Sequence, residues 1–301
     1  MPEPRNHRFL SFAAFAFVLA AVPVAGQMDW SKVAASNNPP GTWGMAFDAS
    51  RKRTVLFSGR ETWEWDGRSW TRRTPSVRPP WRAAQFMAYD AARRQVVLFG
   101  GWDVSNDLDD TWVWDGSNWT QCTPMTRPPA RNSHAMAYDA GRQRVVLFGG
   151  FSYSSTVAFG DTWEWDGRNW TRATPAASPM RRSWHGMAYD AVRKRVILFG
   201  GHTGGLPDDT WEWDGKNWTQ RKPTTRPSGR IHPVLAYDSV RQRIVLFGGT
   251  DHLNRGKNDT WEWDGQNWTL MKPAVSPKPI RPDAMVYDAA RQRTVLLAGF
   301  G

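Results

Sequence analysis

A chain of 301 residues with 40% hydrophobic side chains is long enough to bury a substantial core, and its one cysteine, Cys122, excludes an intramolecular disulfide framework. The formal charge of +11 favours polyanionic partners by long-range attraction but is silent on fold. Twenty tryptophans, recurring beside Gly, Pro and Arg, depart so far from ordinary globular composition that a repeat architecture is the first hypothesis to test.

The N-terminus reads as a secretory signal. Arg5 and Arg8 form a short basic region, Phe9 to Val22 is apolar, and Val24, Ala25 and Gly26 are small enough for cleavage. The apolar run is shorter than the roughly 20 residues of a spanning helix, and Pro23 interrupts its end, which argues against a membrane anchor. No cysteine stands there to carry a lipid. The expected organisation is a signal peptide over 1–26 and a single domain over 27–301, secreted or periplasmic and without stable membrane insertion. Cleavage after Gly26 removes Arg5, Arg8 and Glu3, leaving 37 basic and 27 acidic residues, or +10.

Six repeats follow, aligned on Asp48, Asp90, Asp139, Asp190, Asp238 and Asp288. Ten residues after each Asp comes a small residue and then Gly: Ser58-Gly59, Gly100-Gly101, Gly149-Gly150, Gly200-Gly201, Gly248-Gly249 and Ala298-Gly299. A second phrase, Thr-Trp-Glu-Trp-Asp-Gly, recurs at Trp63, Trp112 (with Val113 in place of Glu), Trp163, Trp211 and Trp261. Another Trp follows each seven residues later, at 70, 119, 170, 218 and 268. The spacing from there to the next aligned Asp is constant, so all variation in repeat length falls between the Gly pair and the first Trp.

Each repeat thus holds four short runs, here named strands A to D, such as 185–189, 195–200, 210–214 and 217–221 in the fourth. They are rich in β-branched and aromatic residues and bounded by Gly, Asp, Asn or Pro. The A–B and C–D connections have hairpin length and residues that tolerate left-handed backbone. Four antiparallel strands at this period make a propeller blade, and the density of Pro and Gly excludes helical repeats. The alternation of strand C puts Trp211 and Trp213 on one face and Glu212 on the other, as packing between blades requires. The Glu is expected to meet an Arg or a backbone donor. Asn118, Asn169, Asn217 and Asn267 stand in Asn-Trp-Thr, formally glycosylation acceptors, and read better as turn residues.

The sixth repeat has strands A and B, but no C or D follows before Gly301. Asp29 to Lys32 looks like a strand D that closes this last blade from the N-terminal end, leaving it with three strands or otherwise incomplete. Trp30 is expected to join Met285 and Leu296.

An Arg, then His-x-Met-x-Tyr-Asp, Gly-Gly, Asp-Thr-Trp and Trp-Thr, most complete over 182–223, resembles the kelch motif, and the resemblance covers nearly all of the chain after residue 26. It implies an all-β, six-bladed propeller, a fold that hosts oxidases, epimerases and pure interaction modules. The copper-radical site of the galactose oxidase family cannot be rebuilt: five of the six tyrosines occupy the repeated Tyr-Asp position, leaving Tyr153 alone. One His per repeat likewise lacks the short spacings of a zinc site. No metal or cofactor is expected.

Strand parity sends the B–C loops and D–A linkers to one face, which carries the length variation and hence the expected binding residues. Eight residues before the aligned Asp stand Arg82, Arg131, Arg182 and Arg230, with Arg281 one place later; the first repeat has Pro40. They suit an anion, or else brace linker carbonyls. Beside them are Gln85, His134, His185, His232 and Asp283, and on the loops Trp102, Phe151, His202 and His252. The expected function is a monomeric binding scaffold for a protein or an acidic polysaccharide, without specific nucleic-acid binding. An isomerase resembling the sialic-acid epimerases is the alternative, with no catalytic residue assigned.

Overall fold

The computed structural model describes residues 17–24, 27–33, 39 and 44–298. Five four-stranded antiparallel sheets stand round a ring as the blades of an all-β propeller. The first comprises Gly44–Asp48, Arg53–Ser58, Glu61–Trp65 and Trp70–Arg73. The second comprises Phe86–Asp90, Gln95–Trp102, Asp107–Trp114 and Trp119–Cys122. The third runs through Ala135–Asp139, Arg144–Phe148, Thr162–Trp165 and Trp170–Arg172, with a small hairpin, Phe151–Ser152 and Val157–Ala158, in its B–C loop. The fourth and fifth are Gly186–Asp190, Arg195–Phe199, Thr210–Trp213, Trp218–Arg221 and Val234–Asp238, Arg243–Phe247, Thr260–Trp263, Trp268–Met271.

Strand B is apolar at successive positions because both its faces meet a neighbouring blade. In the second blade Val96 and Leu98 pack toward Val55 and Phe57, while Val97 and Phe99 pack toward Val145 and Leu147. All eight are fully buried, and this inter-blade burial dominates the stability of the ring. The Trp stripes belong to the same layers: Trp213 and Trp218 lie against Val146 and Phe148 of the blade before.

Polar bolts cross each layer. The hydroxyls of Tyr89, Tyr138 and Tyr189 accept the turn N–H groups of Ser50 (3.3 Å), Ala92 (3.0 Å) and Gly141 (3.0 Å) in the preceding blade. The Asn of Asn-Trp-Thr accepts a linker N–H, as Asn217 does from Ala176 at 2.8 Å. In the third blade the strand C glutamate serves two donors: Glu164 pairs with Arg142 at 2.6 Å and accepts the Trp213 indole N–H at 3.0 Å. At the C–D turn, Gly215 has a φ of 98°, and a Cβ there would lie 2.4 Å from Arg142 Nε, so the turn requires glycine.

A further four-stranded sheet joins the two ends of the chain, in the order Gln27–Val33, Phe17–Val24, Arg293–Ala298, Ala284–Asp288. Trp30 does share a cluster with Met285 and Leu296, packed on Val245 and Phe247 of the fifth blade. On the other side Ala284, Val295 and Leu297 pack on Met45, Leu56 and Trp65 of the first. The sequence offered a strand D from Asp29 to Lys32 and no strand C. In the structure the strand C position is held by Phe17–Val24, from the segment read as a signal peptide.

Candidate functional site

The D–A linkers are built around Arg82, Arg131, Arg182 and Arg230, and none of the four guanidinium groups is exposed. Arg182 is representative: Nε donates to the Met180 carbonyl at 3.0 Å and Nη1 to the Gly200 carbonyl at 3.0 Å. Nη1 and Nη2 then grip both oxygens of Asp209 at 2.7 and 2.8 Å. Arg82, Arg131 and Arg230 repeat this with Asp110, Asp161 and Asp259. Each Asp also accepts the indole N–H of the Trp two residues on, as Asp209 does from Trp211 at 2.7 Å. Burial works against the charge of Asp161, Asp209 and Asp259, but their Arg partners outweigh it and hold the carboxyls below the usual range. These guanidinium groups are committed to the protein's own acceptors.

Three residues after each Arg, Gln85, His134 and His185 are buried between blades. Gln85 donates to the Phe57 carbonyl at 2.8 Å, and His185 faces the corresponding Phe148 carbonyl, its ring 5.6 Å from the Phe148 ring. His134 sits edge-on to Phe99 at 5.6 Å. Desolvation, reinforced by the nearby Arg charges, lowers the pKa of both histidines, that of His185 to about 3, so both are neutral at pH 7.

His232 belongs to a different position, two residues after the Arg, alongside Ala84, Ser133 and Trp184, whereas Asp283 directly precedes its strand A as Gln85, His134 and His185 do. Ala84 (φ 54°), Ser133 (53°), Trp184 (55°) and His232 (57°) all have left-handed backbone. The fold imposes it, because each N–H reaches the carbonyl of its counterpart in the blade before. Ser133 bonds Ala84 at 3.0 Å, Trp184 bonds Ser133 at 2.9 Å and His232 bonds Trp184 at 2.8 Å. A left-handed turn at this point directs the side chain out of the inter-blade layer. Bulky residues rarely tolerate that backbone, so a tryptophan here is unusual.

The residue after each Gly pair lies next to this inner ring. Trp102 pairs with Ala83, Phe151 with Asn132 and His202 with Ser183 in isolated bridges. Gly101 permits it: with φ 104°, a Cβ there would stand 2.8 Å from the Ala83 carbonyl. The bridges gather two aromatic groups. Tyr153, half exposed, has its ring 6.0 Å from Trp102 and 5.2 Å from Phe151. Trp184 lies 5.3 Å from His232 and 6.0 Å from His202.

Asp107 anchors the first group, accepting from Asn132 Nδ2 (2.6 Å), Ser152 Oγ (2.9 Å) and the Ser154 N–H (3.1 Å). Arg281 stands exposed within electrostatic reach of both groups and of Asp283. Desolvation lowers its pKa, and the charges of Asp283 and Tyr153 oppose the shift. His252 is exposed on a turn held by Asp251, which accepts the Leu253 N–H at 2.9 Å; among the described residues no ring contact joins it to the others.

The structure therefore brings Trp102, Phe151, His202 and Arg281 to one mouth, packs His232 on Trp184 with its ring nitrogens shielded from solvent, and sets Arg82, Arg131, Arg182, Arg230, Gln85, His134 and His185 within the walls. Trp184 and Tyr153 are members that sequence reasoning missed. The signal for Trp184 was present, since the residue six places before the aligned Asp differs in every repeat from the second to the sixth: Ala84, Ser133, Trp184, His232 and Pro282. No family model matches this chain, and no curated protein matches it significantly.

Proposed function

We propose that the chain is an exported, six-bladed propeller of the kelch type, and that the face of its B–C loops and D–A linkers binds an anionic glycan or an acidic protein segment. The observation that carries this reading is the open aromatic mouth: Trp184 and Tyr153 stand beside Trp102, His202 and Arg281 on rigid, mutually hydrogen-bonded backbone. Flat rings present an apolar face to a sugar or side chain, and the mobile part of the interaction is left to the ligand. An Arg at the mouth and a chain charge of +11 add attraction for carboxylate or sulfate. In the six-bladed reading the sheet joining the chain ends is the last blade, which its packing on both neighbours supports.

The test is a glycan array followed by titration of the strongest acidic hit against W184A and R281Q. Loss of one stacking ring is expected to weaken binding by about 0.5–1.5 kcal/mol while the melting temperature stays near that of the parent. Loss of Arg281 should also flatten the salt dependence. Equal affinity of both variants and the parent would place the ligand elsewhere.

A further inference from the structure

The sheet joining the chain ends differs from the five blades in its strand C. Elsewhere the Trp that opens strand D donates its indole N–H to a strand C threonine of the blade before. Trp119 reaches Thr62 (2.8 Å), Trp170 Thr111 (2.9 Å), Trp218 Thr162 (2.8 Å), Trp268 Thr210 (2.9 Å) and Trp30 Thr260 (3.0 Å). Trp70 completes the series, is 1% exposed, and its Nε1 has no partner. Trp65 Nε1 beside it is buried and unpartnered too, whereas Trp114 and Trp213 donate to Glu64 (3.2 Å) and Glu164 (3.0 Å). The glutamate is the weaker requirement, because Trp165, opposite Val113, and Trp263 also lack an acceptor.

Register explains the two orphans. Val18 stands opposite Leu297 and Ala20 opposite Val295, the places that in the first blade hold Thr62 opposite Phe57 and Glu64 opposite Val55. Val and Ala carry no acceptor. Phe17–Val24 thus supplies a ladder without the chemistry that the slot presents, and a buried donor left unpaired is costly.

The flanking strands hold their places by other means. The Trp30 N–H donates to the Val275 carbonyl at 3.3 Å, Asp29 accepts from Ala274 at 2.6 Å, and the Trp30 ring lies 5.1 Å from Phe247. Arg293–Ala298 stays paired with Ala284–Asp288. Removal of Phe17–Val24 leaves a gap one strand wide, roughly 9.5 Å between the two flanking strands.

We propose that this gap is a docking site for an extended segment of another protein chain bearing Thr-x-Glu, its Thr accepting from Trp70 and its Glu from Trp65. The proposal rests on the reading that cleavage follows Gly26. The segment enters as an added strand: backbone bonds to Arg293–Ala298 give affinity, and the two indole donors give selection.

The test uses the full gene product, exported by its host and purified, with its N-terminus read by intact mass. The probe is a synthetic peptide copying residues 209–214, Asp-Thr-Trp-Glu-Trp-Asp. Protein beginning at Gln27 should bind it one to one with a rise in melting temperature. The T210V form of the peptide should bind about five- to tenfold more weakly, the loss expected of one buried hydrogen bond. No binding, or equal binding of the two peptides, overturns the proposal. A mass that retains residues 1–26 refutes cleavage separately, and the slot is then tested in that sample by whether the peptide frees residues 17–24 to protease. Failure to free them overturns the proposal as well.

Discussion

Arg182→Gln separates a bracing role from a ligand-binding one. The native guanidinium makes four hydrogen bonds, to the carbonyls of Met180 and Gly200 and to both oxygens of Asp209. Its side chain is 1% exposed and that of Asp209 18%, so water cannot replace what the substitution removes. Glutamine is shorter and restores at most one of the four bonds, leaving the Asp209 charge uncompensated. Breaking a buried pair in this way costs about 3–5 kcal/mol. For a chain of this size that corresponds to a fall of roughly 6–20 °C in melting temperature. Adding Asp209→Asn removes the stranded charge while keeping an acceptor for Trp211, so the double variant should recover part of the loss. Denaturant melts of the parent, the single and the double variant, paired with binding to an acidic polysaccharide at two salt concentrations, read both quantities. A single variant that melts with the parent yet loses salt-sensitive binding would refute the bracing role and return Arg182 to the ligand.

The buried histidines set an acid limit. Folded pKa values lie below the unfolded value of about 6.5, so the unfolded chain binds protons that the native one refuses, and stability is complete above pH 6.5 and falls as pH drops toward 3. His185 contributes about 1.4 kcal/mol per pH unit in that window, and H185Q, copying Gln85, should remove one proton from the slope of urea stability against pH; an unchanged slope refutes the assignment. In the second blade Val113 replaces the glutamate and leaves Trp165 Nε1 without an acceptor. V113E should therefore stabilise by about 0.5–1.5 kcal/mol, and W165F should abolish the gain; destabilisation on thermal melting would show that the acceptor cannot be placed there.

Much of the architecture is legible in one dimension because a propeller is periodic and its blades are local. Constant spacing of Asp, Gly-Gly and Trp specifies four strands per repeat and their hairpins, and apolar runs in strand B require a neighbour on both faces. The pairing of Arg182 with Asp209 was also visible in principle: repeats two to five carry both residues, while the first has Pro40 and Glu61 in their places. What spacing along a strand cannot give is the direction of side chains at an irregular linker. His185 and His232 look alike in sequence, yet a one-residue offset across a left-handed turn puts the first inside the wall between blades and the second against Trp184 of the inner ring, its ring nitrogens also shielded from solvent. Tyr153 joins Trp102 because Asp107 ties two loops 45 residues apart, through Ser152, a contact decided by how adjacent blades stand. The strand opposite Arg293–Ala298 is the clearest case. Hydrophobicity marked Phe17–Val24 as a leader, and only the ladder of the folded sheet shows that the same residues match a strand in length and register while lacking the acceptors its neighbours present.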